Sequence, residues 1–203
     1  GFKMDSLITL FPSLVYKTNI NRLLNEKEKK FIKEQSTQAQ PTLSNSMSID
    51  NKILDNINFE NIKSFIDNKI DFFLQQIVQP KHNLKCYVTE SWLNFNKKGD
   101  SHHKHFHANS FLSGVFYVNV DGQDSITFLS PLKDLITIEK KEENELNANY
   151  ATIKIKQGDL VIFYSHLDHK VDINQKNETR ISLSFNTFIK GTISNEFTSA
   201  LKI

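Results

Sequence analysis

The sequence predicts a mainly β protein with supporting helices, of the α+β class, in a single domain over residues 1–203. Two observations predict this class. Apolar residues in the first half recur at helical spacing, whereas the second half holds short runs of β-branched and aromatic residues between turn residues. The length of 203 residues also fits one domain. We therefore place helical support at about residues 20–80 and a strand-rich core at about residues 84–190.

Two helices are predicted in the first half of the chain. The first covers about residues 25–35, because Asn25 can cap a helix and Glu28 follows at the capping-box spacing. The second covers about residues 59–78 and ends before Pro80. Its apolar residues recur at i, i+3 and i+4, so we expect one wide face to pack on a sheet.

Six strands are predicted after residue 84. They cover about residues 84–96, 111–120, 125–130, 150–156, 159–165 and 179–189. Turn-forming pairs such as Asp121-Gly122 and Gly158-Asp159 separate several of them. Short strands at this spacing indicate a β-sandwich or barrel rather than βαβ units.

Polar and apolar residues alternate along the last predicted strand. The polar face carries Arg180, Ser182, Ser184 and Asn186. On alternation alone, we expect this face to lie in water, as is common in antiparallel sheets. The alternative is a polar row that faces the inside of a barrel and meets a ligand there.

Composition excludes several classes of protein. The chain has 25 Lys and Arg against 23 Asp and Glu, so we expect no nucleic-acid-binding surface. The single cysteine, Cys86, excludes an intramolecular disulfide and a cysteine-rich zinc site. No apolar run is long enough to cross a membrane, and the start lacks a signal-peptide pattern. We therefore expect no membrane partner and a cytoplasmic location, which is the host cytoplasm if a phage encodes the chain.

Histidines fall into two clusters that indicate a metal site. His103, His105 and His107 are spaced by two, so in an extended segment they point to one side. His169 comes far later, just after an apolar strand. Imidazole suits iron, zinc, copper and nickel, so ligand type leaves the metal open. The alternative is a solvated histidine-rich loop.

One arginine stands out beside these histidines. Lysine accounts for all but two of the 25 basic residues, yet Arg180 follows His169 by eleven residues and precedes Ser182 by two. The planar guanidinium binds carboxylates through two parallel hydrogen bonds. A histidine metal site with a carboxylate-binding arginine is what a non-haem Fe(II) oxygenase with a keto-acid co-substrate needs.

These motifs, taken in order, resemble those of the 2-oxoglutarate- and Fe(II)-dependent dioxygenases, above all a bacterial and phage subgroup with an H-x-H pair. The resemblance covers about residues 84–190. The motifs are Trp92-Leu93-Asn94, Gly99-Asp100, His105-Phe106-His107, Ser113-Gly114-Val115-Phe116-Tyr117, Gly158-Asp159-Leu160, His169 and Arg180-Ile181-Ser182-Leu183-Ser184-Phe185-Asn186.

The resemblance implies a double-stranded β-helix (jelly-roll) core with N-terminal helices packed on one sheet. It also implies Fe(II), with 2-oxoglutarate and O2 as co-substrates. The metal ligands would be His105, His107 and His169. Most of the superfamily has Asp or Glu where this chain has His107, so His103 or a carboxylate such as Asp168 stays an alternative third ligand.

The resemblance further implies how the co-substrate is held. Arg180 and Ser182 would bind the distal carboxylate of 2-oxoglutarate. The hydroxyl of Tyr117 could join them, and Asn94 could approach the same molecule. No catalytic side chain is expected beyond the iron ligands.

The expected activity is oxidation, usually hydroxylation, of a second substrate, with release of succinate and CO2. That substrate, a small molecule or a peptide, is not identified by the sequence, and neither is the oligomeric state. The alternative is a jelly-roll module that binds metal or serves a structural role without turnover, because a fold alone does not imply a function.

Overall fold

The computed structural model describes residues 8–131, 136, 138–194 and 201. Two α-helices lie in the first half, α1 (Glu26–Gln38) and α2 (Glu60–Phe73). The strands of the described residues are β1 (Val15–Asn19), β2 (Gln40–Pro41), β3 (Ser46–Met47), β4 (Leu84–Asn96), β5 (His102–His105), β6 (Leu112–Asn119), β7 (Ser125–Leu129), β8 (Tyr150–Lys154), β9 (Asp159–Tyr164), β10 (His169–Val171) and β11 (Arg180–Gly191).

The strands form two antiparallel sheets. The larger sheet has seven strands in the order β1-β9-β6-β11-β4-β3-β2, and the smaller has four in the order β5-β10-β7-β8. The predicted mainly β class with few helices is confirmed. Within the described part of the chain, no helix is long and apolar enough to cross a membrane.

All six predicted strands are present, with ends that differ by a few residues at most. The strands that were not predicted are β1, β2, β3, β5 and β10, which are two to five residues long. Such short segments carry little periodicity of their own, so their pairing depends on partner strands far along the chain.

Helix α1 begins with the predicted capping box. The Asn25 side chain accepts a hydrogen bond from the Glu28 backbone at 2.9 Å, and the Glu28 carboxylate accepts one from the Asn25 backbone at 2.8 Å. Arg22 binds both oxygens of the same carboxylate, at 2.8 and 2.6 Å. Glu28 is fully buried, and these bonds are what make the burial of its charge tolerable.

The helical segment that begins with α2 covers the predicted range, but its last turn differs in type. Its α-helical part ends at Phe73 and continues as a π-helical segment over Leu74–Val78. Gln79 then adopts a left-handed conformation, with φ of 50°, before Pro80. The apolar face of the helix packs on the larger sheet through four fully buried side chains, Ile62, Ile66, Ile70 and Phe73.

The larger sheet is buried on both faces. Along β9, Leu160 and Ile162 belong to the core shared with the helices, whereas Val161 and Phe163 belong to a second core. This division follows from the two-residue period of a strand. The second core also contains Ile126 from the smaller sheet, so it fills the space between the two sheets.

Gly114 leaves room for the ring of Phe185 on the neighbouring strand. It pairs with Phe185 across β6 and β11. A Cβ atom on Gly114 would lie 2.2 Å from Cζ of the Phe185 ring, which is fully buried. The ring therefore occupies the space that a side chain at position 114 would need.

We expect Gly114→Ala to lower the free energy of unfolding by about 1–3 kcal/mol, the usual cost of overpacking a core. Urea denaturation measures this loss. The control is Gly122→Ala, since nothing lies within 4 Å of a Cβ added at Gly122. Equal stability of the two variants would contradict the explanation.

Candidate active site

The smaller sheet brings the two histidine clusters together. In its β5–β10 pairing, His105 lies directly opposite His169. His107 follows β5, and one ring nitrogen from each of these three histidines lies within 4.8 Å of the others. His169 is buried, whereas His105 and His107 are partly buried. The three imidazoles predicted to share a site therefore lie together.

Two of these imidazoles are oriented by the same backbone contact. Nδ1 of His105 lies 2.8 Å from the carbonyl oxygen of His103, and Nδ1 of His169 lies 3.0 Å from that of Leu167. Because a carbonyl only accepts, Nδ1 carries the hydrogen in each ring. The Nε2 lone pair is then free for a metal ion.

His107 is held by a side-chain contact instead. The side chain of Asn186 lies close enough to the His107 ring to interact with it. Asn186 in turn donates to Glu90 Oε1 at 2.7 Å and accepts from Ser113 Oγ at 2.8 Å. The side-chain amide of Asn186 therefore lies between His107 and the carboxylate of Glu90.

Burial keeps these rings neutral. It lowers the pKa of His169 to about 3 and that of His107 to about 4, and it also lowers the pKa of His105. Neighbouring imidazoles contribute in the same direction. A metal ligand must be unprotonated, and three neutral imidazoles form a donor set that iron, zinc, copper or nickel accepts. The residues present thus fit a metal ion of this kind.

The two alternative ligands lie outside this group. His103 is exposed, and the group found among the described residues does not include it. The expectation that His103, His105 and His107 share one side fails at His103, because the β5–β10 pairing is irregular between His105 and His102 and breaks the alternation within β5. The Asp168 carboxylate pairs with Lys104 Nζ at 3.1 Å.

A cavity between the two sheets adjoins the histidines. It has a volume of about 590 Å³ including its mouth. All seven residues predicted as ligands or co-substrate contacts line it: Asn94, His105, His107, Tyr117, His169, Arg180 and Ser182.

The polar face of β11 forms part of the cavity wall. Arg180, Ser184 and Asn186 are buried, and Arg180, Ser182 and Ser184 line the cavity. The expectation of a water-facing row is therefore wrong. The smaller sheet covers this face, and alternation within one strand carries no information about a second sheet.

Arg180 is anchored on the side away from the ligand cavity. It is 7% exposed, its Nη1 lies 3.5 Å from Asp124 Oδ1, and its Nη2 donates to the Asp172 carbonyl at 3.2 Å. Asp124 also lies 3.7 Å from Lys176 Nζ. These contacts hold the guanidinium in one place.

Three other predicted residues lie near Arg180, one on the same strand and two on the strands that flank it. Ser182 is opposite Asn94 on one side and Tyr117 on the other. The Asn94 amide donates to Ser184 Oγ at 2.9 Å. Burial raises the pKa of Tyr117, so its hydroxyl keeps its proton and is available as a donor.

Sequence reasoning assigned no role to four residues of the site. His102 and Asn96 line the cavity, and Asn186 and Glu90 support His107. Strict alternation along a strand would turn His102 away from His103 and His105, yet its ring centroid lies 4.3 Å from that of His105. Asn96 could have been predicted from the sequence, because it lies on the same face of its strand as Asn94.

Comparison with solved structures identifies proteins of similar fold. The non-heme alpha ketoglutarate dependent epimerase SnoN from nogalamycin biosynthesis has 11% identity and a TM-score of 0.60, covering 94% of this chain and 88% of its own. HygX from Streptomyces hygroscopicus, solved with nickel, 2-oxoglutarate and hygromycin B, has 9% identity and a TM-score of 0.57, covering 86% and 82%. A Pseudomonas putida prolyl-4-hydroxylase has 14% identity and a TM-score of 0.54, covering 86% and 92%.

Comparison of the sequence itself finds a match to a family model over part of the chain. No curated protein matches the chain. The family model described as "Putative 2OG-Fe(II) oxygenase" matches residues 90–186. This segment runs from Glu90 to Asn186 and contains the three clustered histidines, Arg180 and Ser182. Residues 90–186 therefore carry the sequence pattern of the 2-oxoglutarate- and Fe(II)-dependent oxygenases, which confirms the resemblance indicated by the motifs.

Proposed function

We propose that this chain is an Fe(II)- and 2-oxoglutarate-dependent oxygenase that oxidises, usually by hydroxylation, a second substrate and releases succinate and CO2. One observation carries the proposal: three neutral imidazoles and a buried arginine line the same cavity. The family match over residues 90–186 supports it. So do structural neighbours solved with 2-oxoglutarate and a metal ion.

We further propose that the two sheets form a double-stranded β-helix (jelly-roll) core over about residues 84–190, within one domain. The seven-plus-four arrangement of antiparallel strands supports this architecture, as does the likeness to SnoN and HygX. Helices on one side and the second sheet on the other would leave the cavity between the sheets as the reaction chamber.

His105, His107 and His169 would hold Fe(II) through one nitrogen each. Bound iron and O2 supply the redox chemistry that couples keto-acid decarboxylation to substrate oxidation. The chain itself fixes the imidazole orientations through the His103 and Leu167 carbonyls. Since the three ligands are neutral, Glu90 behind His107 is the carboxylate that would partly balance the metal charge.

Arg180 and Ser182 would bind the distal carboxylate of 2-oxoglutarate, with the protonated Tyr117 hydroxyl as a further donor. Asn94 lies beside the same molecule in this arrangement. Apolar side chains of the wall, including Val115, Ile126 and Phe163, would exclude water from the reacting groups. The second substrate stays open as a small molecule or peptide.

We expect His105→Ala and His169→Ala to abolish succinate formation and to weaken Fe(II) binding, because each removes one of three ligands. Succinate is measured with Fe(II), O2 and 2-oxoglutarate, and metal binding is measured anaerobically. The control is His82→Ala, which changes a histidine outside the cavity. Iron-loaded wild-type protein that neither binds nor turns over 2-oxoglutarate would refute the proposed function.

We expect Arg180→Ala to weaken 2-oxoglutarate binding by about 10- to 100-fold, since hydrogen bonds to a charged group are lost. Fe(II) binding should stay close to that of the wild type. Arg22→Lys is the matched control, because it changes the other arginine far from the cavity and keeps a positive charge beside Glu28. Equal loss of metal and 2-oxoglutarate binding would assign Arg180 a structural role.

We expect Asn186→Ala to weaken Fe(II) binding by about 10- to 100-fold, the usual effect of removing a group that orients a ligand. Anaerobic metal titration measures it. Glu90→Gln, which keeps a hydrogen-bonding side chain but removes its charge, separates orientation from charge. Wild-type metal affinity in Asn186→Ala would show that Asn186 does not position His107.

A further inference from the structure

One buried amide in the cavity is left without a partner. Asn96, the last residue of β4, is 5% exposed and lines the cavity. Its Nδ2 is buried and has no hydrogen-bond partner among the residues that the structure describes. The backbone around it is fixed, because its carbonyl accepts a bond from Asn174 Nδ2 at 2.9 Å.

Other amides around the cavity are satisfied. Asn94 Nδ2 donates to Ser184 Oγ at 2.9 Å, and Asn45 Nδ2 lies 3.4 Å from Asn94 Oδ1. Asn186 Nδ2 donates to Glu90 at 2.7 Å. A buried donor without an acceptor is unfavourable, so the exception at Asn96 requires an explanation.

The position of Asn96 identifies the kind of acceptor. It lies directly opposite Arg180 in the β4–β11 pairing, so a group that reaches the guanidinium from the cavity also comes near this amide. A carboxylate offers about four lone-pair sites on its two oxygens. One N–H of Arg180, the Ser182 hydroxyl and the Tyr117 hydroxyl would fill three of these sites and leave one for another donor.

The surroundings of Arg180 also favour a neutral donor there. Asp124 lies 3.5 Å from the guanidinium, and the Asp172 carbonyl occupies one of its N–H groups. Part of the positive charge and hydrogen-bonding capacity of Arg180 is therefore already engaged. An amide N–H adds a contact to an incoming carboxylate without a further buried charge.

We propose that Asn96 Nδ2 donates a hydrogen bond to the distal carboxylate of bound 2-oxoglutarate, beside Arg180. This inference rests on the proposed function. It makes Asn96 a residue that selects dicarboxylic 2-oxo acids over 2-oxo acids that end in a methyl group.

The test uses Asn96→Leu, which has a similar shape and no polar atom. Trp92 is the single tryptophan of the chain and lines the same cavity, so its fluorescence reports binding in the Fe(II)-loaded protein without O2. We expect 2-oxoglutarate to bind about tenfold more weakly than to the wild type, the effect of about 1.4 kcal/mol. Affinity for 2-oxopentanoate, which lacks the distal carboxylate, should not change.

Thermal unfolding without co-substrate gives a second readout. Removal of an unsatisfied buried donor should leave the melting temperature of Asn96→Leu equal to that of the wild type or higher. Should this variant not fold, Asn96→Asp keeps the shape and sets a carboxylate against the ligand, so an even larger loss of 2-oxoglutarate affinity is expected. Asn119→Leu is the control, since that amide already donates to the Thr179 carbonyl at 2.9 Å.

The outcomes separate this inference from the function on which it rests. Wild-type protein that fails to bind 2-oxoglutarate would refute the proposed function. Wild-type binding together with unchanged 2-oxoglutarate affinity in Asn96→Leu would overturn only the role of Asn96. An equal loss of affinity for both keto acids would show a structural role for Asn96 instead. So would a lowered melting temperature without a selective loss of affinity for 2-oxoglutarate.

Discussion

The register between β4 and β11 is the constraint on which the cavity depends. The two strands pair from Arg180 opposite Asn96 to Gly191 opposite Leu84. Because side chains alternate along a strand, a slip of one residue would turn the polar face of β11 toward the helices. It would also bring Leu183 and Phe185, which pack in the helical core, into the space between the sheets. Burial of the apolar side chains of β11 in the helical core therefore fixes the polar side chains of the same strand toward the cavity.

A polar wall inside a protein is stable only if its groups satisfy one another. Ser113 and Ser165 share a hydrogen bond of 2.8 Å, and Thr187 Oγ1 bonds the Leu112 backbone. The histidines contribute by remaining neutral, which avoids burying several like charges close together. The cavity therefore combines a satisfied framework with an amide, Asn96 Nδ2, that has no partner among the described residues.

The features that could be predicted from the sequence are those set by local or periodic signals. The capping box at Asn25 needs only residues three apart, and the long strands carry their own β-rich pattern. The shared position of His105 and His169 was inferred from residue chemistry and from the resemblance. By contrast, β5 consists of histidine and lysine and has no intrinsic strand preference. Its conformation follows from pairing with β10, and so does the inward position of His102.

The histidine cluster lies in the smaller sheet, and we expect the free energy of local opening there to be lower than in the helical core. Strand β10 has three residues, and its pairing with β5 is interrupted by an irregularity between His169 and Val171. Local opening of such a short ladder requires little free energy compared with global unfolding. Hydrogen exchange would then proceed through β5 and β10 while α2 and β11 stay protected. The three imidazoles can thus separate and reassemble in a molecule that remains otherwise folded.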